Sequence, residues 1–237
     1  MRPPRVDGAT VATDQGPARL RTHAPAGPWP PRPSCQVVLG HGAGGSLDAR
    51  SPDLDALAAG LPDLGVRVVL VDQPWRVAGR RVAPAPARLD LAWRQVLDAL
   101  PRDLPLVVGG RSAGARVACR TATDTGAVAV LALAFPLHPP GRPERSRGLE
   151  LLGAGLPTLV VQGRSDAFGR PDELPAGPGL WVAPVDGDHS LRADPPAVLA
   201  AVAAFLREQG WTDAQTVPPA GCGAVGSVPS PPPSRTR

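Results

Sequence analysis

Lysine, isoleucine, asparagine and tyrosine are missing from this 237-residue chain. All 25 basic residues are therefore arginines, set against 21 acidic ones for a formal charge of +4. The missing types are those with A/T-rich codons. The arginine excess thus reflects a GC-rich coding sequence and not a surface shaped for nucleic acid, and no nucleic-acid partner is expected. Cysteine is scarce. Cys35, Cys119 and Cys222 cannot form a complete disulfide framework, and no CxxC or Cys/His spacing suggests a zinc site. The start, Met-Arg-Pro-Pro-Arg-Val-Asp, lacks the apolar stretch of a signal peptide. The longest apolar runs, 127–135 and 197–206, fall short of the roughly 20 residues that span a bilayer. These absences lead to the expectation of a cytoplasmic protein with no membrane partner.

What is present is a core and a great deal of punctuation. Apolar residues make up 43% of the chain and charged ones 19%, which excludes wholesale disorder. There are 32 prolines and 27 glycines, and proline is dense near both ends. Residues 1–9 and 211–237 read as disordered ends around one α/β domain over 10–210, with 18–23 alternating like an edge strand. Inside it, apolar runs at 36–40, 66–72, 104–109, 127–135, 157–163 and 180–185 read as strands. Helical patterns at 52–64, 87–100, 113–123, 147–153 and 195–209 separate them. The strands are continuously apolar, as in a sheet covered on both sides. The alternation predicts a mainly parallel central sheet with helices on both faces, and ligands bind such sheets beyond the carboxyl ends of the strands. Trp93, Trp181 and Trp211 are expected to pack against the sheet.

The loops after those strands carry the chemistry. Gly110-Arg-Ser112-Ala-Gly114 lies between a strand and a helix. A serine on so tight a turn needs glycines two residues to either side, and the turn aims its hydroxyl outward while the N–H of Ala113 opens the helix. A base is required. His23 lies in the N-terminal arm, whereas His189 follows the last strand, where a base arrives in the chain order Ser, acid, His. Asp166, just past the strand at 157–163, is the candidate acid. Asp186 and Asp188 read as exposed turn residues. The loop Gly40-His41-Gly42-Ala43-Gly44-Gly45 has two readings. One is a dinucleotide turn with Asp72 as ribose acceptor. The other is an oxyanion loop in which Ala43 or Gly44 joins Ala113 as donor. The helix begins too late for the first, so the second is preferred. His41, Trp75, Arg76 and His138 lie on loops of the same face and are candidates for substrate contact, and the arginines there leave an anionic substrate group open.

Five segments in order, 39–45, 109–118, 135–144, 161–169 and 187–190, resemble one α/β-hydrolase family. It includes the testis-expressed protein 30 type and the NSL-complex subunit 3 hydrolase-like domain, and it is related to the dienelactone hydrolases. The resemblance covers roughly residues 10–210. It implies the α/β-hydrolase fold and a Ser112–Asp166–His189 triad. Dienelactone hydrolases use a cysteine nucleophile, so the serine departs from them. The expected function is hydrolysis of ester or thioester bonds in a small acyl substrate, with no metal or organic cofactor. The alternatives are a catalytically silent scaffold of the same fold and a nucleotide-binding protein. Acyl preference and oligomeric state are not legible.

Overall fold

The computed structural model describes residues 5–25, 33–43 and 51–212. Eight strands run along the chain: β1 (Arg5–Thr13), β2 (Gly16–Ala24), β3 (Cys35–Gly40), β4 (Val66–Asp72), β5 (Leu106–Arg111), β6 (Ala129–Leu133), β7 (Thr158–Gly163) and β8 (Leu180–Val185). The helices are α1 (Pro52–Gly60), α2 (Pro74–Val77), α3 (Pro86–Asp98), α4 (Ala113–Thr121), α5 (Gly148–Leu152) and α6 (Pro195–Glu208). The strands form one sheet in the order β1-β2-β4-β3-β5-β6-β7-β8. From β4 to β8 every neighbour is parallel, and β2 is antiparallel to both β1 and β4.

The continuous apolar runs follow from the two-sided core, because successive residues of a strand point to opposite faces. Val38, Val69, Val71, Val108, Val130 and Val160 join α3 and α4, with Leu89, Trp93, Val96 and Val117, in one cluster. Their strand neighbours Leu39, Leu70, Val107, Leu131 and Val161 join α1 and α6, with Leu57, Val198, Val202 and Phe205, in the other. Each such side chain contributes about 1.5–3 kcal/mol by leaving water, so the two clusters hold the helices to their faces. Proline stands in the first turn of α1, α3 and α6, where its missing N–H costs no helical hydrogen bond.

The ends of the domain differ from expectation. β1 begins at Arg5, inside the stretch expected to be disordered, and makes a hairpin with β2 in which Thr13 pairs with Gly16. β2 is therefore not an edge strand. At the other end, the backbone N–H of Trp211 donates to Leu206 at 2.9 Å, and its side chain packs on the α1/α6 cluster. Residues 213–237 of the expected C-terminal tail lie outside the described residues. Trp93 is buried as expected, while Trp181 is half-exposed on edge strand β8 and meets Phe205 edge-on at 5.6 Å. No helix among the described residues is long and apolar enough to cross a membrane.

Candidate active site

Ser112 links β5 to α4 with φ of 53° and ψ of −106°, a backbone conformation that non-glycine residues adopt at a cost of about 1–3 kcal/mol. Its neighbours show what holds it there. A Cβ on Gly110 would stand 2.3 Å from the carbonyl oxygen of Gly40, and one on Gly114 would stand 2.4 Å from the same atom. Both glycines are therefore required by the closeness of β3 to the turn. The N–H of Ser112 donates to Leu133 of β6 at 2.9 Å. Serine is a favoured helix N-cap, yet this hydroxyl makes no capping bond to α4. It is turned instead toward His189, whose Nε2 lies 2.9 Å from Oγ.

His189 sits in the loop after β8, and its Nδ1 lies 2.8 Å from Oδ2 of Asp166 in the loop after β7. The Asp166 side chain is wholly buried while that of His189 is 23% exposed, so the chain of hydrogen bonds runs from the interior out to the hydroxyl. Asp166 is further held by the Phe168 N–H on Oδ1 at 2.8 Å and by Gln162 Nε2 on Oδ2 at 2.9 Å. The Phe168 ring lies 4.3 Å from the imidazole, limiting its tilt. The two loops are stitched together as well: the N–H and Oγ of Ser165 both donate to the Gly187 carbonyl, at 3.0 and 2.9 Å. A Cβ on Gly163 would lie 2.6 Å from the carbonyl oxygens of both Gly187 and Asp188, so the histidine loop crosses the end of β7 only because that residue is glycine. Asp188 caps Ser190, whose hydroxyl and N–H hold its carboxyl below the usual range. That is the turn role expected of it.

The structure thus brings Ser112, Asp166 and His189 together, although they stand on three strand ends far apart in the chain. It also places Gly42 against the serine, where a Cβ on Gly42 would lie 3.5 Å from Ser112 Cβ. Ala43 is exposed beside it, Ala113 opens α4, and Gly44 lies outside the described residues.

The expected substrate contacts fare differently. His41 is 6% exposed, with Nδ1 2.7 Å from the Gly42 carbonyl and Nε2 3.2 Å from the Gln73 amide nitrogen. Trp75 is buried in the α3/α4 cluster, and Arg76 lies half-exposed over its ring at 5.5 Å. His138 is buried, with Nδ1 3.0 Å from the Pro139 carbonyl. Three of the four are therefore buried, and only Arg76 keeps its side chain half-exposed. Asp72 is buried and paired with Arg19 at 2.7 Å, and α1 starts only at Pro52, which leaves a dinucleotide neither a ribose acceptor nor a helix end at the glycines.

Sequence reasoning missed Gln162. It is fully buried; its Oε1 accepts from the Phe135 N–H at 2.9 Å and its Nε2 also donates to the Gly169 carbonyl at 2.7 Å, joining the ends of β6 and β7. One polar residue closing the apolar run Leu-Val-Val was the available signal. Arg111, next to the serine, turns toward α1, its Nε 3.6 Å from Oδ2 of Asp53, whose carboxyl burial pushes above its ordinary range. The thiols of Cys35 and Cys119 are free and buried, and burial pushes both up to about 12, so neither is a nucleophile near neutral pH. Among the described residues no three His, Cys, Asp or Glu side chains cluster as metal ligands do. The larger cavities described, about 560 and 460 Å³, lie beside α5 and over β1 and β2, away from the serine.

A doubly wound sheet in this strand order, with a serine on the turn after β5 and a histidine after β8, defines an α/β-hydrolase fold. The profile of the alpha/beta hydrolase domain family matches residues 33–196, and the chain belongs to that family. Solved structures agree on the fold. A lidless α/β serine hydrolase of Xanthomonas campestris is 21% identical, with a TM-score of 0.66, over 91% of this chain and 99% of its own. A dienelactone hydrolase of Anabaena variabilis is 18% identical, with a TM-score of 0.65, over 90% and 100% of the two chains. An esterase of Pyrobaculum calidifontis is 16% identical, with a TM-score of 0.60, over 88% and 84%. No curated protein matches the chain in sequence.

Proposed function

We propose that this hydrolase-family protein is a serine hydrolase of ester-type acyl bonds, with Ser112, His189 and Asp166 as its triad. The observation that carries the reading is the unbroken run from Oγ through the imidazole to a buried carboxylate, 2.9 and 2.8 Å. Ser112 Oγ attacks the acyl carbonyl carbon while His189 Nε2 takes the hydroxyl proton. Asp166 holds Nδ1–H, which fixes the tautomer and stabilises the imidazolium. The tetrahedral oxygen, now negative, is met by the N–H groups of Ala113 and of Ala43 or Gly44. As the bond to the leaving group breaks, the imidazolium returns its proton to that group and an acyl-serine remains. Water then attacks the acyl carbon, gives a proton to His189, and the collapse releases the acid and restores Ser112. This sequence requires neither metal nor organic cofactor.

The reading extends to a small acyl substrate, with half-exposed Arg76 as the candidate contact for an anionic group. The five matching segments support the narrower likeness to the testis-expressed protein 30 type. The proposal extends to a cytoplasmic location, in keeping with the free thiols.

A fluorophosphonate probe tests the reading. It should label the wild type at Ser112 and leave Ser112→Ala unlabelled, and p-nitrophenyl ester turnover should fall by about 10⁴-fold or more in that variant. Folded wild type that neither labels nor turns over any ester would return the protein to the scaffold reading.

A further inference from the structure

The interior position of His41 raises the question of what a buried histidine does at the mouth of a hydrolase site. Its two ring nitrogens answer differently. Gln73 offers a backbone N–H to Nε2 at 3.2 Å, and an N–H can only donate, so Nε2 carries the lone pair. The hydrogen is then on Nδ1, which donates to the Gly42 carbonyl at 2.7 Å. The ring is neutral and held in one tautomer. Burial lowers its pKa first, and the charges of Arg76 and Arg111 lower it further. The Gly42 bond and Asp72, whose Oδ1 is 3.9 Å from Nε2, pull the other way without reversing the shift. The buried Trp75 ring packs beside the imidazole, centroid to centroid 5.5 Å.

The carbonyl that His41 holds belongs to the peptide joining Gly42 to Ala43. In a trans peptide C=O and N–H point to opposite sides, so whatever fixes one fixes the other. Gly42 is the residue about which that peptide turns most freely, and it lies against Ser112.

We propose that His41 is a positioning residue for the oxyanion hole: its Nδ1–H pins the Gly42 carbonyl inward and thereby keeps the Ala43 N–H available to the tetrahedral oxygen. The assignment rests on the hydrolase reading above. It places His41 out of reach of the substrate and gives it an effect confined to the transition state. Loss of the pin lets the Gly42–Ala43 peptide turn over, which removes one donor and presents a carbonyl oxygen in its place.

The test compares His41→Asn with His41→Gln in the full chain, with His41→Ala as reference. The asparagine amide sits where Nδ1 does and can still donate to Gly42. The glutamine amide reaches the Nε2 position and meets Gln73, leaving Gly42 unheld. With a p-nitrophenyl ester, His41→Gln and His41→Ala should lose about 10²–10³-fold in kcat with KM changed by less than about threefold. His41→Asn should recover at least about tenfold of that loss. Equal kcat in the Asn and Gln variants, or a loss expressed in KM alone, would overturn the assignment. The Asn and Gln pair decides the matter even if the alanine variant fails to fold. A wild type without labelling or turnover removes the hydrolase reading and this role with it, whereas an active wild type with equal variants removes only this role.

Discussion

Gly163→Ala is the most demanding perturbation the site allows, because it touches none of the reacting groups. The added methyl would stand 2.6 Å from the carbonyl oxygens of Gly187 and Asp188. Ordinary carbon-to-oxygen contacts begin near about 3.3 Å, so the histidine loop must withdraw by about 0.7 Å. Both opposing atoms are backbone, and no side-chain rotation relieves the clash. If His189 follows its loop, Nε2 moves from 2.9 Å to about 3.6 Å from Ser112 Oγ, beyond hydrogen-bond range. A displacement approaching an ångström at a reacting group costs up to about 10²-fold in rate, and we expect kcat/KM to fall by about 10- to 100-fold. The assay is p-nitrophenyl ester turnover normalised to correctly folded protein by circular dichroism. Gly8→Ala is the control, since nothing lies within 4 Å of a Cβ there. A Gly163→Ala protein that turns over within about twofold of wild type would refute the claim that this crossing sets the imidazole.

Two further outcomes follow from the packing. Gln162→Leu removes a donor from Asp166 and leaves the Phe135 N–H and Gly169 carbonyl without their partner. At about 1–3 kcal/mol for each stranded group it should lower the melting temperature by several degrees and reduce kcat, measured by calorimetry and ester turnover. Glu150 of α5 accepts from Arg116 at 2.8 and 2.5 Å and from Arg120 at 3.2 Å, and Arg120 also holds Asp90 of α3 at 2.6 Å. Burial opposes the charged form of Glu150, yet the two arginines keep its carboxyl below the ordinary 4.5. Its stabilisation is therefore present above that value and disappears as pH falls through the lower, folded one. Glu150→Gln should melt below wild type at pH 7 and converge with it in strong acid; a constant gap would contradict the sign.

How far these features were legible in the chain depended on whether burial leaves a pattern. β4 and β8 begin and end where their runs do, and the parallel core could be read because residues covered on both faces leave no polar alternation. The run at 127–135 overshot β6, since Ala134 turns away with φ of 44° and ends the strand while staying buried. β1 went unread because it is an edge strand in which residues 6–10 are exposed, only Val11 leans on the core, and no apolar run forms. α2, at four residues, is too short to show a helical period. Ser112, Asp166 and His189 stood out as polar residues in short glycine-bracketed loops. His41 and His138 occupy loops at the same strand ends and Trp75 the short helix α2 after β4, yet all three are buried. Nothing in a loop's composition tells which way a side chain points, because that depends on which neighbouring strand it meets.

The strained backbone at Ser112 has a consequence for the protein's history as well as its chemistry. A glycine there would sit at ease in the same turn, relieving about 1–3 kcal/mol while discarding the hydroxyl. Selection for heat resistance alone would therefore favour glycine at this turn, and a serine here answers to a demand that no melting curve measures.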